Sequence, residues 1–170
     1  MARVRHALFL IVEKILRIVV VPSWRAKILR LMGAEVGLNV RVYECRFMNL
    51  GQGFSNLTIK DDVHIGPDCL IDLKGHVVIG KGTTLSPRVT LISHSDPGSA
   101  HGSRLTESFP PEALGLAIGE GCWIGANSTV LSGTEIGSDC VVGAMSLVRG
   151  SLPSAGLYVG IPVRRIRSLK

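Results

Sequence analysis

The sequence predicts a mainly β fold in which the chain winds as a parallel β-helix with three short, flat faces per turn. An aliphatic residue recurs at every sixth position from residue 118 to residue 148: Ile118, Ile124, Val130, Ile136, Val142 and Val148. A small side chain stands four residues after each of the first five: Cys122, Ser128, Thr134, Cys140 and Ser146. An α-helix repeats every 3.6 residues and a strand every two, so neither produces a period of six. A coil that spends about six residues on each of three faces does produce it, because stacked coils share one core.

The same period continues upstream and sets the limits of the predicted domain. Two blocks of three aliphatic residues keep the step of six, with two inserted residues between the blocks: Ile59, Ile65 and Ile71, then Ile79, Leu85 and Leu91. Val36, Val42 and Met48 are predicted to form a less regular first coil. The repeat stops after Leu91 and resumes at Ile118, which indicates a long loop between two coils. We therefore expect a β-helix domain over residues 34–150, interrupted by a loop over residues 93–117.

Residues 1–33 are predicted to form a helical segment that precedes the β-helix. Residues 4–21 are mostly apolar; Pro22 would end this helix, and Ser23 would cap a second one that stops at Gly33. The charges inside the apolar run count against a membrane span, because each would cost about 2.5–3.5 kcal/mol near the bilayer centre. Two interpretations remain open. The segment covers the open end of the β-helix, or it covers that end and also lies on the inner face of the membrane, attracted by anionic lipid.

The charge of the chain is concentrated at its two ends. The net charge is +6 over 170 residues. Residues 1–30 carry seven basic side chains against one acidic one, and residues 149–170 carry five basic side chains and no acidic one. A nucleic-acid-binding protein would spread its basic residues over one face and place aromatic residues among them, so no nucleic-acid partner is predicted. Residues 151–170 are instead expected to form a basic C-terminal tail.

The cysteines predict a reducing compartment and no metal site. Cys45, Cys69, Cys122 and Cys140 include no closely spaced pair, and three of them occupy the small position of the repeat. They are therefore expected to be packing thiols of a cytoplasmic protein. A zinc hydratase of the γ-carbonic-anhydrase kind is a competing class, but the five histidines show no pair at the spacing that such a site uses.

His94 is the first side chain of the long loop that can accept a proton at neutral pH. Loops that interrupt a rigid scaffold often carry binding and catalytic groups, although a histidine on a surface loop is also common without any function. Asp96 follows two residues later and could orient the imidazole or bind an acceptor. No cysteine lies in this loop, so an acyl-enzyme formed there is not expected.

Three motifs resemble those of the hexapeptide-repeat acyltransferases, in the branch of the galactoside, maltose, nodulation, streptogramin and exopolysaccharide O-acetyltransferases. The motifs are LSPRVTLISHSD, CWIGANSTVLSGTEIGSDCVVGAMSLV and LYVGIPVRRIR. The resemblance covers about four fifths of the chain, from residue 33 to residue 167. It implies a left-handed parallel β-helix, a homotrimer, and acetyl-CoA bound in the cleft between neighbouring subunits, with no metal.

The resemblance also implies roles for individual residues. His94 stands where the family has its general base. Trp123 matches a tryptophan that flanks the cofactor cleft, and Ala126 and Ala144 match positions whose backbone contacts the pantetheine arm.

Basic residues near the C-terminus match the cofactor-binding end of the family pattern. Arg164 and Arg167 stand where a basic pair lies near the CoA phosphates, and arginine suits phosphate in geometry and charge. Arg149, also assigned to the cofactor, replaces the Thr-Lys that many members carry, so its contacts are expected to differ. The asparagine that helps the galactoside enzymes to hold their acceptor has no counterpart here; Asp68 and Asp72 lie near that position and are assigned to the acceptor.

The predicted function is transfer of an acetyl group from acetyl-CoA to a hydroxyl of a sugar, in the biosynthesis of a cell-surface polysaccharide or glycolipid. His94 would act as the general base of a direct transfer. The predicted location is the cytoplasm, with the open alternative of a peripheral position on the inner membrane through residues 4–21. A non-catalytic β-helix scaffold is the other class of protein that the sequence leaves open.

Overall fold

A computed structural model shows a triangular prism built from three parallel sheets, and it describes residues 2–169. We call the sheets faces A, B and C, in the order in which the chain visits them. Face A stacks β1 (Glu35–Val36), β4 (Leu57–Ile59), β7 (Val77–Ile79), β10 (Leu116–Ile118), β13 (Thr134–Ile136) and β16 (Ser151–Leu152). Face B stacks β2 (Arg41–Val42), β5 (His64–Ile65), β8 (Thr84–Leu85), β11 (Trp123–Ile124), β14 (Val141–Val142), β17 (Gly156–Gly160) and the reversed β18 (Val163–Ser168). Face C stacks β3 (Cys45–Met48), β6 (Cys69–Asp72), β9 (Thr90–Leu91), β12 (Thr129–Val130) and β15 (Leu147–Val148).

The six-residue period produces the core directly. Strands pair in register, so that Ile79, Ile118 and Ile136 lie above one another on face A. The same alignment places Leu85 beside Ile124 on face B, and every residue of these two sets is at most 3% exposed. Each coil therefore buries one aliphatic side chain per face against its neighbours. The predicted parallel β-helix is confirmed.

The first coil differs from the prediction in its third aliphatic position. Val36 and Val42 pair with Ile59 and Ile65 as expected, but Phe47, not Met48, lies opposite Ile71. Phe47 is 6% exposed and packs edge-on against Phe54, with ring centroids 5.5 Å apart. Phe47 follows Val42 by five residues where Ile71 follows Ile65 by six, so this coil is one residue shorter on that face.

Two helices cover the first coil. Helix α1 (Ala2–Ile18) buries Val12 and Leu16 against β3 and the short 3-10 turn Leu50–Gln52. Helix α2 (Pro22–Leu31) packs on β1 and β2. Pro22 is the first residue of α2, a position that needs no backbone N–H, and Val21 takes the capping position without a side-chain hydrogen bond. The prediction that Ser23 caps this helix is therefore wrong. None of the helices described is both long and apolar enough to cross a membrane.

The C-terminal boundary also differs from the prediction. Residues 151–160 continue the β-helix, because Leu152 stacks on Ile136 and Tyr158 stacks on Val142. The chain then reverses, and β18 pairs antiparallel with β17. The basic residues of this segment therefore lie on a strand at the end of face B, and the predicted free tail starting at residue 151 is not seen in the described residues.

The two longest excursions of the chain leave the prism at one corner, where the chain passes from face C to face A. We call it the C–A corner. Excursions at this corner span residues 49–56, 73–76 and 92–115, in three successive coils. The next coil crosses the same corner in residues 131–133. Stacking of the coils brings these segments together, so polar residues far apart in sequence meet at this edge.

Candidate functional site

His94 and Asp72 form a hydrogen-bonded pair at the C–A corner. Asp72 ends β6, and His94 follows β9 one coil higher. The imidazole Nδ1 lies 2.6 Å from Asp72 Oδ2. The Asp72 side chain has no exposed surface, whereas the His94 side chain is 24% exposed. The pair therefore has a buried carboxylate on one side of the imidazole and solvent on the other.

The neighbours of Asp72 are all hydrogen-bond donors. Oδ1 accepts from Asn49 Nδ2 at 2.6 Å and from the Lys74 backbone N–H at 3.2 Å. Oδ2 accepts from the Ser93 backbone N–H and from Ser93 Oγ, each at 2.9 Å. Burial acts to raise the pKa of Asp72, but the hydrogen bonds from Asn49, His94 and Ser93 outweigh it and lower the pKa below its ordinary value. The carboxylate is therefore ionised at neutral pH.

An ionised Asp72 fixes the tautomer of His94. A carboxylate can only accept hydrogen bonds, so Nδ1 carries the hydrogen and donates it to Asp72. Neutral imidazole then has its free lone pair on Nε2. His94 borders a cavity of about 90 Å³ that Lys74, Asp96 and Glu112 also line. The arrangement presents a proton acceptor next to a small cavity, which is what a general base requires.

Asp96 shapes the loop, and its hydrogen bonds go to loop residues and not to the imidazole. Its carboxylate accepts from the backbone N–H groups of Gly98 at 2.8 Å and Ser99 at 2.6 Å, and from Ser99 Oγ at 2.7 Å. These hydrogen bonds, led by that of the Ser99 backbone, lower the pKa of Asp96. The role of orienting His94, which the sequence offered to Asp96, belongs in this structure to Asp72.

The two aspartates assigned to the acceptor lie at different corners. Asp72 is fully buried and therefore cannot contact an acceptor. The assignment of Asp72 to the acceptor is wrong, because its carboxylate is hydrogen-bonded behind His94. Asp68 is exposed, but it lies between β5 and β6, where the chain passes from face B to face C. We call this the B–C corner. Face C separates Asp68 from His94.

Three of the residues assigned to the acyl donor lie along face B and the B–C corner. Trp123, on β11, is 55% exposed and donates from Nε1 to Ser86 Oγ at 2.9 Å. Ala126 and Ala144 occupy equivalent positions at the B–C corner in successive coils, and the Ala126 carbonyl accepts from the Met145 backbone N–H at 2.9 Å. Within one chain, these residues do not meet His94.

The three arginines are exposed but divided between two places. Arg164 and Arg167 lie on β18, opposite Val159 and Leu157 of β17. Arg149 follows β15 at the C–A corner, two coils above His94, which is roughly 10 Å along the prism axis. The structure therefore brings Arg149 to the corner of His94 and leaves the other two on the last strand of face B.

Sequence reasoning missed Asn49 and Ser93, the two side chains that hold Asp72. A signal was available: two inserted residues lengthen the coil that contains Asp72, so that Ile71 pairs with Leu91 and Asp72 lies directly below Ile92, two residues before His94. The other missed residue, Asn49, has a backbone φ of +59° in the structure, at the start of the first excursion. Asparagine tolerates that conformation better than most residues.

The cysteines and the metal-ligating residues give no further site in residues 2–169. All four cysteines are free and buried. Burial is the main cause that raises the pKa of Cys69 and of Cys122 to about 11. The described residues contain no group of three or more histidine, cysteine, aspartate or glutamate side chains placed to hold a metal ion.

Comparison with known proteins identifies relatives of this chain. The family described as "Bacterial transferase hexapeptide (six repeats)" matches residues 117–150. WcaF of Escherichia coli strain K12, named provisionally as a colanic acid biosynthesis acetyltransferase, is 34% identical over 149 residues, covering 87% of this chain and 76% of WcaF. WbbJ of the same strain, named provisionally as a lipopolysaccharide biosynthesis O-acetyl transferase, is 35% identical over 118 residues. That alignment covers 66% of this chain and 57% of WbbJ.

Solved structures agree with these relatives. The crystal structure of a hexapeptide-repeat-containing acetyltransferase from Vibrio cholerae matches with a TM-score of 0.80 at 19% identity, over 99% of this chain and 93% of that one. A second crystal structure of that protein, in complex with acetyl-CoA, matches with a TM-score of 0.64 at 23% identity, over 99% of this chain and 87% of that one. The fold is thus the predicted left-handed parallel β-helix. Together with the identity to WcaF over most of both chains, this shows that the chain belongs to the hexapeptide-repeat acyltransferase family.

Proposed function

We propose that this protein is an acetyl-CoA-dependent O-acetyltransferase that acts on a hydroxyl of a sugar, in the biosynthesis of a cell-surface polysaccharide or glycolipid. The observation that carries the proposal is the Asp72–His94 pair, which leaves Nε2 free to accept a proton. The names of WcaF and WbbJ support the reaction class and the polysaccharide setting. The acetyl-CoA complex of the Vibrio cholerae protein supports the donor.

The transfer is direct and needs no acyl-enzyme. Nε2 of His94 takes the proton of the acceptor hydroxyl as its oxygen attacks the carbonyl carbon of the thioester. The tetrahedral intermediate collapses, the C–S bond breaks, and the sulfur leaves with the proton that His94 returns. The products are the O-acetyl sugar and free CoA. Asp72 holds the imidazole in the required tautomer and stabilises it while it is positively charged.

The donor would lie along the B–C corner. Trp123 offers an exposed ring beside it, and Ala126 and Ala144 leave the backbone accessible because their side chains are small. Arg164 and Arg167 supply exposed positive charge suited to the CoA phosphates. Arg149, at the other corner, suits the part of CoA that reaches towards His94.

The active unit is a homotrimer with sites between subunits. His94 and the donor residues lie at two corners that face C separates in a single chain. A neighbouring prism can place its B–C corner against the C–A corner of this chain, which brings the thioester to Nε2. We place the protein in the cytoplasm, where acetyl-CoA is available and where its buried cysteines stay reduced.

A thiol-release assay with acetyl-CoA and a panel of sugars and glycans tests this function. Wild-type protein is expected to release CoA with an accepted sugar, and His94→Ala to lower turnover by about 10²-fold or more. His101→Ala is the matched control, because His101 is an exposed histidine of the same loop and should not affect turnover. Turnover that His94→Ala leaves unchanged would remove the mechanism. Neither turnover nor acetyl-CoA binding would favour the scaffold alternative.

A further inference from the structure

Helix α1 has a second apolar side that is left uncovered by residues 2–169. The side consists of five aliphatic residues, each 43–77% exposed: Val4, Leu8, Ile11, Ile15 and Ile18. We call this set the outer stripe. The steps between its members are four, three, four and three residues, which is the spacing of one side of an α-helix.

The opposite side of α1 already packs against the core of the β-helix. Val12 and Leu16 are at most 8% exposed and pack on the first coil, with Phe9 beside them. Covering the end of the β-helix therefore requires only this inner side. A contiguous exposed apolar surface on a folded protein marks a place where something binds.

Positive charge accompanies the outer stripe. Arg3 and Lys14 are exposed: Arg3 adjoins Val4 in sequence, and Lys14 lies three residues from Ile11 and four from Ile18, so both are beside the stripe. The acidic residue of α1, Glu13, is buried on the inner side and pairs with Arg17 at 3.5 Å and with Lys14 at 3.8 Å; the Lys14 side chain is nevertheless 69% exposed. The outward surface of the helix thus combines aliphatic side chains with cations.

We propose that the outer stripe docks on an anionic lipid bilayer, with α1 lying in the plane of the headgroups. Aliphatic side chains would enter the boundary of the acyl chains, and Arg3 and Lys14 would extend their charges to lipid phosphates. A second copy of the chain fits this surface less well, because stripe-to-stripe contact would bring the cations of two helices together. An anionic surface complements both properties.

Docking would also bring the site close to the membrane. His6, on α1, lines a cavity of about 430 Å³ together with Asn49, Gln52 and Lys74. Lys74 borders the cavity of His94 as well. On the basis of the proposed function, the acceptor is then a sugar carried on a lipid and presented at the bilayer surface. The docking itself does not depend on catalysis.

Co-sedimentation of the full chain with phosphatidylglycerol-containing vesicles tests the docking. Wild-type protein is expected to sediment with these vesicles and to remain in the supernatant with pure phosphatidylcholine vesicles. Ile11→Asp with Ile15→Asp should weaken binding by about tenfold or more, because two charges enter the apolar boundary. Leu31→Asp is the matched control: Leu31 is 83% exposed on α2, outside the stripe, and its replacement should leave binding unchanged.

Three results would overturn the proposal. Wild-type protein that stays in the supernatant with both kinds of vesicle would do so, and so would a stripe variant that binds like wild type. A stripe variant that dissociates the oligomer in sedimentation velocity would show that a second copy covers the stripe. Acetyl transfer to a soluble sugar, measured on the same proteins, keeps this result separate from the proposed function, because the stripe variant should retain it.

Discussion

Asp72 and His94 have separate roles in the proposed catalytic pair: the buried Asp72 orients the imidazole, and the accessible His94 accepts the proton. Five hydrogen bonds from Asn49, Lys74, Ser93 and His94 converge on the two oxygens of Asp72. Ser93 Oγ in turn accepts from the Gly75 backbone N–H at 2.9 Å, so its own hydrogen points to Asp72. Only a side chain that accepts hydrogen bonds at both of its oxygens fits this network at position 72. Asp72 is therefore a positioning residue, and its carboxylate sets the tautomer and orientation of the imidazole.

Replacement of Asp72 by asparagine should therefore reduce turnover without affecting the donor. The amide nitrogen of Asp72→Asn would face groups that also donate hydrogen bonds. If it faces His94, Nδ1 can no longer donate its hydrogen, and the tautomer with a free lone pair on Nε2 is lost. We expect kcat to fall by about 10²-fold or more, as for other orienting carboxylates. The KM for acetyl-CoA should stay near that of wild type, because the donor residues lie at another corner. Steady-state kinetics with both substrates varied separates the two parameters.

Asp96→Asn provides the matched control for this experiment. It makes the same chemical change in the same region, at a carboxylate that binds the loop backbone at Gly98 and Ser99. It should keep most of the wild-type kcat. If Asp96→Asn abolished turnover and Asp72→Asn did not, the assignment of the positioning role would be reversed. Thermal melting of both variants checks that each is folded.

At the scale of elements, the β-helix depends on close contact between the corners of successive coils. A Cβ built on Gly119 would lie 2.6 Å from the Ser138 backbone nitrogen and 2.7 Å from the Gly137 carbonyl carbon. Both partners are backbone atoms that cannot rotate away. The distance between strands of one face is set by their hydrogen bonds, such as that from the Gly119 N–H to the Ile136 carbonyl at 2.7 Å. Glycine at this corner is thus required by the stacking of the coils.

Gly119→Ala is expected to destabilise the fold because the added methyl group would separate two coils. Overpacking of this kind typically costs about 1–3 kcal/mol. The free energy of unfolding from denaturant titration measures the change. Gly51→Ala is the control, since a Cβ at Gly51 meets no atom within 4 Å. Equal stability of the two variants would contradict the argument.

At the scale of the whole molecule, the sequence predicts the parts that repeat and fails where the repeat is broken. Stacked coils force inward residues into register, so the period of six is enough to identify the core residues of faces A, B and C. The pairing of Asp72 with His94 depends on a two-residue insertion and on three excursions meeting at one corner, which the period does not encode. The outer stripe of α1 is hidden for a related reason: an apolar run shows that a helix buries something, but not which side the rest of the chain covers.

Separation of the two corners makes a prediction about the assembly. If each site takes His94 from one subunit and its donor-binding corner from the next, two differently damaged chains can complement each other. His94→Ala removes the base, and Ala144→Trp would fill the donor corner where the exposed Ala144 leaves space. Each variant alone should be inactive. Mixed trimers should regain about one third of wild-type turnover, because any ring of three that contains both variants has one interface at which the intact halves of two neighbours meet.

Co-expression of the two variants with different affinity tags, followed by sequential purification, isolates the mixed oligomers for the thiol-release assay. Purified homo-oligomers of each variant, mixed only at the time of assay, form the control and should remain inactive unless subunits exchange. Mixed oligomers without activity, in variants that retain the wild-type melting temperature, would place both halves of the site in one chain. Recovered activity would instead explain why the structure divides the proposed base and the donor residues between two corners: the catalytic site is completed only when a second prism lies against the first.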